Sequence, residues 1–305
     1  MTDITDQRMR RKAIALMALA VLVPSVGCSD RAYTRVQDWP LPAPAGSTQA
    51  DLVKTPTGEL LLSWVEPTGE AQHRLQLSRV APAASAEWST PVTAGSGSDW
   101  FLNWADTPHV YALADGSLWA HWLRSTGPGR LDYGIELVRS ADQGRTWSVP
   151  QLVHLADSSG DHGFVTFWPH TRDRLGIAWL DSRQKAAAKA LAGGHAEQEA
   201  DGHDHHGGAP MMLRAAIYDP NANQLGEWPL DVSTCDCCTT SSAMTERGPV
   251  VVYRGRDERE VRDTRLVRFD GQSWTAPRDV HADGWEIAGC PVNGPVVSAR
   301  GNTLW

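Results

Sequence analysis

Apolar residues along this chain come in short alternating runs, each cut by a polar or glycine-containing turn. Four segments align: KTPTGELLLSW ending at Trp64, ALADGSLWAHW at Trp122, HTRDRLGIAW at Trp179 and MTERGPVVVY at Tyr253. Each reads as a strand, a turn and a second strand ending on an aromatic residue. A second element follows every copy: AEWSTPV around Trp88, RTWSVPQLV around Trp147, GEWPLDV around Trp228 and QSWTAPRDV around Trp274. The unit is therefore four strands, A to D, joined A–B at the glycine turn and C–D at an Asp-type turn. The aromatic anchors are spaced 58, 57 and 74 residues apart, the last interval lengthened by a His-rich insert. Repeated four-stranded units are the sequence signature of a β-propeller.

Composition agrees. Fourteen Trp stand against four Phe and five Tyr, with 27 Gly and 19 Pro. That usage suits an all-β repeat whose large flat side chains pack between blades. Arg8, Arg10, Arg11 and Lys12 precede the apolar stretch AIALMALAVLVPSV, too short to span a bilayer comfortably. Residues 1–27 thus read as a secretory signal peptide, 28–44 as a linker and 45–305 as the propeller domain. The small residue before Cys28 resembles a bacterial lipoprotein box, with Ser25 where such boxes carry Leu. Lipidation at Cys28 would give an exported cell-envelope protein tied to the membrane through a lipid anchor alone. Removing the leader takes the formal charge from −8 to −10, which argues against nucleic-acid partners.

The clearest C–D turn is SADQGRTW, with Ser140, Asp142, Gly144, Thr146 and Trp147 in Ser-x-Asp-x-Gly-x-Thr-Trp spacing. It matches the Asp-box of sialidase-like BNR-repeat proteins, and the repeats carry that resemblance across residues 45–305. The resemblance implies a six-bladed β-propeller, of which about four and a half blades are present. GPVVSARGNTLW, ending at Trp305, aligns with the start of a fifth blade. A C-terminally incomplete fragment is the expectation. The family places its Asp-boxes on the outer rim, so Asp142 reads as a corner residue rather than a site.

The A–B and C–D turns leave one end of each blade, and the B–C loops and D-to-A connections leave the other. All the long irregular segments fall on the second end: 97–109, 156–170, 233–242 and 281–295 as connections, and 123–134, 180–208 and 254–263 as B–C loops. Arg124, Arg183 and Arg254 follow the strand-B anchors of three successive blades, by two, four and one residues. The family holds a sugar carboxylate with three arginines, whose planar guanidinium suits bidentate binding. The resemblance therefore implies Arg124, Arg183 and Arg254 as substrate-binding residues, and His162, read in a short loop on the same end, is a further ligand-contacting candidate. The resemblance also implies Asp99 or Asp161 as the acid, with Asp106 also on that face, and Glu286 as a partner carboxylate. No tyrosine is assigned as nucleophile, and the Arg-Ile-Pro signature of sialidases is absent ahead of the first blade.

Cys235, Cys237, Cys238 and Cys290 lie in connections of adjacent blades and so can meet. They read as a disulfide set, Cys290 with one of the trio, or as a metal site. His195, His203, His205 and His206 belong to the polar insert. No cofactor is required, and Zn or Cu are the ions such Cys/His loops would take. The functional expectation is recognition, with hydrolysis as its stronger form, of terminal sialic acid or a related acidic sugar on a glycoconjugate. The alternative is a non-catalytic propeller for protein interaction or metal handling.

Overall fold

In the computed structural model, residues 39–82, 87–154, 160–185 and 210–305 are described. The leader, Cys28 and the insert histidines lie outside them. Four antiparallel four-stranded sheets follow one another along the chain, each a simple meander. The first holds β1 (Thr48–Lys54), β2 (Leu60–Gly69), β3 (Gln72–Val80) and β4 (Val92–Gly97). The second holds β5 (Val110–Ala112), β6 (Leu118–Ser125), β7 (Tyr133–Ser140) and β8 (Gln151–Leu152). The third holds β9 (His162–Pro169), β10 (Leu175–Asp181), β11 (Met211–Tyr218) and β12 (Gln224–Thr234). The fourth holds β13 (Ser241–Thr245), β14 (Gly248–Arg254), β15 (Thr264–Arg268) and β16 (Arg278–Asp279). A hairpin of β17 (Ala299–Arg300) and β18 (Thr303–Leu304) comes last. Each predicted four-strand unit is one sheet, or blade.

The blades stack face to face because alternate residues of a strand point to opposite sides. On β6, Leu118, Ala120 and Trp122 join Leu61, Val65, Leu75 and Leu77 of the first blade. Trp119 and Leu123 join Val165, Phe167, Ile177 and Trp179 of the third. On β10, Ala178 and Leu180 turn the other way, to Val251, Tyr253 and Val267 of the fourth blade. Val250, Val252 and Leu266 then meet Val297 and Leu304 beyond it. A blade packed on both faces needs strands that are apolar throughout, and all seven residues of β10 are buried. The tryptophans fill these seams: Trp100 stacks on Trp122 at 5.2 Å, and Trp168 meets Trp274 edge-on at 5.8 Å.

The turn at 140–147 is held by its own side chains. The Ser140 hydroxyl donates to Asp142 at 2.8 Å and accepts from the Gly144 amide, also at 2.8 Å. Asp142 accepts from the Thr146 hydroxyl and amide, at 2.6 and 2.9 Å. Those bonds from Thr146, with that from Ser140, hold the Asp142 carboxyl down to about 2. The Trp147 indole donates to the Gly144 carbonyl at 3.0 Å. Trp147 thereby closes the turn, and the return strand starts at Gln151. The same device recurs at Asp219, which accepts from the amides of Asn221 and Asn223, and at Asp270, which accepts from those of Gln272 and Ser273.

One boundary differs from expectation. Segment 156–170 is not all connection, because β9 occupies His162–Pro169. Its polar, glycine-marked opening DHG disguises a strand whose remainder, FVTFW, is β-branched and aromatic.

In the fourth A–B turn Gly248 has φ +97°, and an added Cβ would run into the Phe269 carbonyl oxygen. Gly248→Ala should therefore cost about 2 kcal/mol, from strain and clash together. Thermal unfolding would show it, and an unchanged midpoint would contradict this account of the turn.

Candidate functional site

Two groups of side chains gather at the loop end of the blades. The first lies around the seam between the second and third blades. The connection after β4 begins with exposed Asp99 and buried Trp100, and Trp104 further on is 81% exposed. Asp106, only 2% exposed, accepts the Phe164 amide at 2.8 Å. That bond secures a non-glycine residue with φ +54°. Burial pushes the Asp106 carboxyl up to about 7, and nearby Asp161 adds to the rise, while the Phe164 amide and His109 oppose it. His109 is paired with Asp51 at 2.9 Å, and this pairing raises its affinity for a proton against the cost of burial. His121, fully buried beside His109, is driven well below the ordinary histidine value by burial and by that neighbour. Tyr133 stacks on Phe101 at 4.0 Å, and its backbone bridges that of Asp161. Burial and the charges of Asp161 and Asp106 hold its phenol well above the ordinary value. Chemically this cluster offers a carboxylic acid able to give up a proton near neutral pH. It offers no activated phenolate.

The arginines differ sharply in what already holds them. Arg124 pairs with Glu136 at 2.7 Å and with Asp99 at 3.7 Å. Arg183 grips Asp181 in a fork, Nε to Oδ1 at 2.8 Å and Nη2 to Oδ2 at 2.7 Å, and reaches Glu227 at 3.0 Å. Asp181 is fully buried and also accepts the Trp179 indole at 2.9 Å. Arg254 has another setting. Its guanidinium donates to the carbonyls of Asn293 and Arg262, at 2.8 and 2.6 Å, and lies 4.3 Å from the Trp285 ring centre. No carboxylate among the described residues stands within ion-pair distance of it.

The second group adjoins Arg254. Cys237 and Cys290 form a disulfide, with Cα atoms 6.0 Å apart, so Cys290 does pair with one of the CDCC trio. Cys235 and Cys238 are buried free thiols. The Cys235 sulfur lies 3.1 Å from that of Cys238 and 3.9 Å from that of Cys237, and accepts from Arg262 Nη1 at 3.2 Å. The hydrogen bond from Cys238, helped by Arg262, lowers the Cys235 thiol against the opposing cost of burial. The sulfurs of Cys235, Cys237 and Cys238 all fall within 4.8 Å of one another. With Cys237 held in a disulfide, two thiols remain as ligands for a soft ion.

Among the residues singled out in the sequence, Asp161 is half-buried beside Asp106 and Tyr133, and Glu286 is exposed with its backbone bridged to Val261. His162 was expected in a short ligand-facing loop. It opens β9 instead, is fully buried, lies 3.4 Å from Asp181 and stacks on His154 at 3.7 Å. Sequence reasoning missed Trp104 and the environment of Asp106. Two open clefts mark the surface, one beside the second group and one at the opposite end. One of about 490 Å³ is lined by Ser233, Arg256, Asp257, Glu258, Arg259 and Arg265. The larger, about 550 Å³, lies by the 140–147 turn on the opposite end, among Glu59, Arg79, Gln143 and Arg145. It holds none of the acid, thiol or histidine groups described above.

No family model and no curated protein matches the chain. Among solved structures it is similar to an α-L-arabinofuranosidase from Fusarium graminearum, with 12% identity over 75% of this chain and 66% of that one, at TM-score 0.46. It is similar to an endo-arabinase from Bacteroides thetaiotaomicron, with 8% identity over 78% of this chain and 82% of that one, at TM-score 0.44. A sialidase from Streptococcus pneumoniae shares 9% identity over 83% of this chain and 53% of that one, at TM-score 0.46.

Proposed function

We propose that this is an exported, lipid-anchored protein of the sialidase-like BNR type, a six-bladed propeller whose loop face recognises terminal sialic acid or a related acidic sugar on a glycoconjugate. The observation that carries this reading is the setting of Arg254. It is held in place by two carbonyls and an aromatic ring and forms no ion pair with a carboxylate among the described residues, the charge of Asp263 being felt only from beyond contact distance. An anionic sugar would complete it through a charge-assisted pair. Arg124 and Arg183 already carry protein carboxylates and so are not equal members of a triad with it. Trp104 supplies an exposed ring on the same face, of the kind against which the apolar side of a sugar packs. In the stronger form of the proposal, hydrolysis, Asp106 rather than Asp99 is the proton donor. The neutral phenol of Tyr133 is unsuited to be the nucleophile.

Binding of 3′-sialyllactose to the full-length mature protein, measured by calorimetry, tests this. Arg254→Ala should weaken it tenfold or more, since one charge-assisted hydrogen bond contributes about 1.5–3 kcal/mol. Equal affinity of the variant, or no binding of any acidic glycan by the native protein, would overturn the assignment.

A further inference from the structure

We infer that Cys235, Cys237, Cys238 and Cys290 form an internal thiol–disulfide exchange relay, with Cys235 as the attacking sulfur and the Cys237–Cys290 bond as its target. Four observations converge. Cys235 is a free thiol whose sulfur accepts a hydrogen bond from buried Arg262 at 3.2 Å, a contact that stabilises a thiolate. Its sulfur stands 3.9 Å from Cys237, itself in the disulfide. Cys238, in Cys-x-x-Cys spacing with Cys235, lies 3.1 Å from it, placed to resolve the product. Cys237 and Cys290 are only half-buried, whereas Cys235 and Cys238 are buried, so the bond can be reached from solvent while the attacking pair is shielded.

The exchange balances within the chain. The Cys235 thiol loses its proton and attacks the Cys237 sulfur. The Cys235–Cys237 bond forms, the Cys237–Cys290 bond breaks, and the Cys290 thiolate leaves with the electron pair and takes up a proton. Cys238, deprotonated in turn, attacks the Cys235 sulfur. Cys235–Cys238 forms, and Cys237 departs as a thiolate that is protonated. Two thiols and one disulfide become one disulfide and two thiols, with no outside oxidant or reductant.

The structure also shows what such an exchange would change. Cys290 sits in the long connection after β16 that carries Trp285 and Asn293, the two residues held against Arg254. The Cys237–Cys290 bond ties that connection to the loop after β12, and passing the bond to Cys235–Cys238 releases it. This consequence for ligand binding rests on the glycan reading above, while the relay itself does not.

The relay is tested by disulfide mapping. Native full-length protein is incubated near neutral pH in a buffer free of added thiol or disulfide, quenched in acid, unfolded, alkylated, digested and analysed by mass spectrometry. Both Cys237–Cys290 and Cys235–Cys238 should be found, interconverting with time. Cys238→Ser should accumulate the Cys235–Cys237 bond with Cys290 alkylated. Cys235→Ser should hold Cys237–Cys290 alone. Should Cys238→Ser fail to fold by circular dichroism, Cys238→Ala serves instead and should likewise accumulate the Cys235–Cys237 bond. A native sample showing only Cys237–Cys290, with Cys235 and Cys238 alkylated at every time, would overturn the relay. So would one zinc ion bound per reduced chain in place of any exchange. Sialoside binding is not read in this experiment, so failure of the relay and failure of the glycan reading are told apart.

Discussion

Replacing Asp181 with alanine should destabilise the protein by about 3–5 kcal/mol, among the largest losses available from a single side chain here. The carboxylate has no exposed surface, and its oxygens are divided among the Trp179 indole, the Arg183 amide and both arms of the Arg183 fork. Burial alone would raise its pKa. The hydrogen bonds from His162 and Arg183 outweigh that, and the carboxyl is held far below the ordinary range. Truncation would leave a half-buried guanidinium short of its main partner and an indole N–H unpaired. The sign with pH follows. A lowered folded-state value gives stability that is fully present above the unfolded pKa, near 4, and lost as the solution is acidified below it. Urea unfolding at neutral pH should show the full loss and unfolding at low pH a smaller one. Asp181→Ala combined with Arg183→Ala should cost less than the two single losses added, because both remove one pair. A single-variant loss below about 1 kcal/mol would mean that Asp181 is not the keystone its contacts describe.

The repeat was readable because burial on both faces imposes a local, periodic demand on every blade. Strands must be apolar and β-branched, and turns must carry Gly or Asp, so LLLSW, SLWAHW, LGIAW and PVVVY mark four successive second strands. The side on which the loops gather followed from strand direction alone, and it placed Arg124, Asp106, Arg254 and the four cysteines at one end. Partners were not readable. That Arg183 is forked onto Asp181 and reaches Glu227, and that Arg254 meets Trp285 and Asn293, depends on contacts across a sheet or between loops. Strand-end spacing carries no signal for them. His162 shows the same limit: a glycine-flanked histidine reads as loop, yet the strand it opens is buried against two blades. The cysteines fall between these cases. Their meeting was legible from adjacent connections, but the choice of Cys237 for Cys290 is decided by loop geometry.

Asp106→Asn should leave the protein more stable at pH 8 than its parent, by as much as about 4 kcal/mol, while removing any hydrolytic activity it has. Burial, with Asp161 nearby, raises the folded-state pKa from the ordinary 3.8 to about 7. Each unit of such a rise is worth about 1.4 kcal/mol between the two protonation states. A raised value means the folded chain holds the proton more tightly than the unfolded chain. That contribution is fully present below pH 3.8, fades as the pH climbs, and is gone above 7, where the carboxylate must be buried charged. Asparagine keeps an oxygen to accept the Phe164 amide and carries no charge at any pH, so it escapes the rising cost. The stability difference between variant and parent should therefore grow steadily from pH 4 to pH 7 and then level off. A pH-independent difference, or a variant less stable at pH 8, would show that Asp106 is not titrating in this window. A stabilised variant that still binds sialoside but no longer releases sialic acid would identify a carboxyl maintained at a cost to the fold for the proton it delivers.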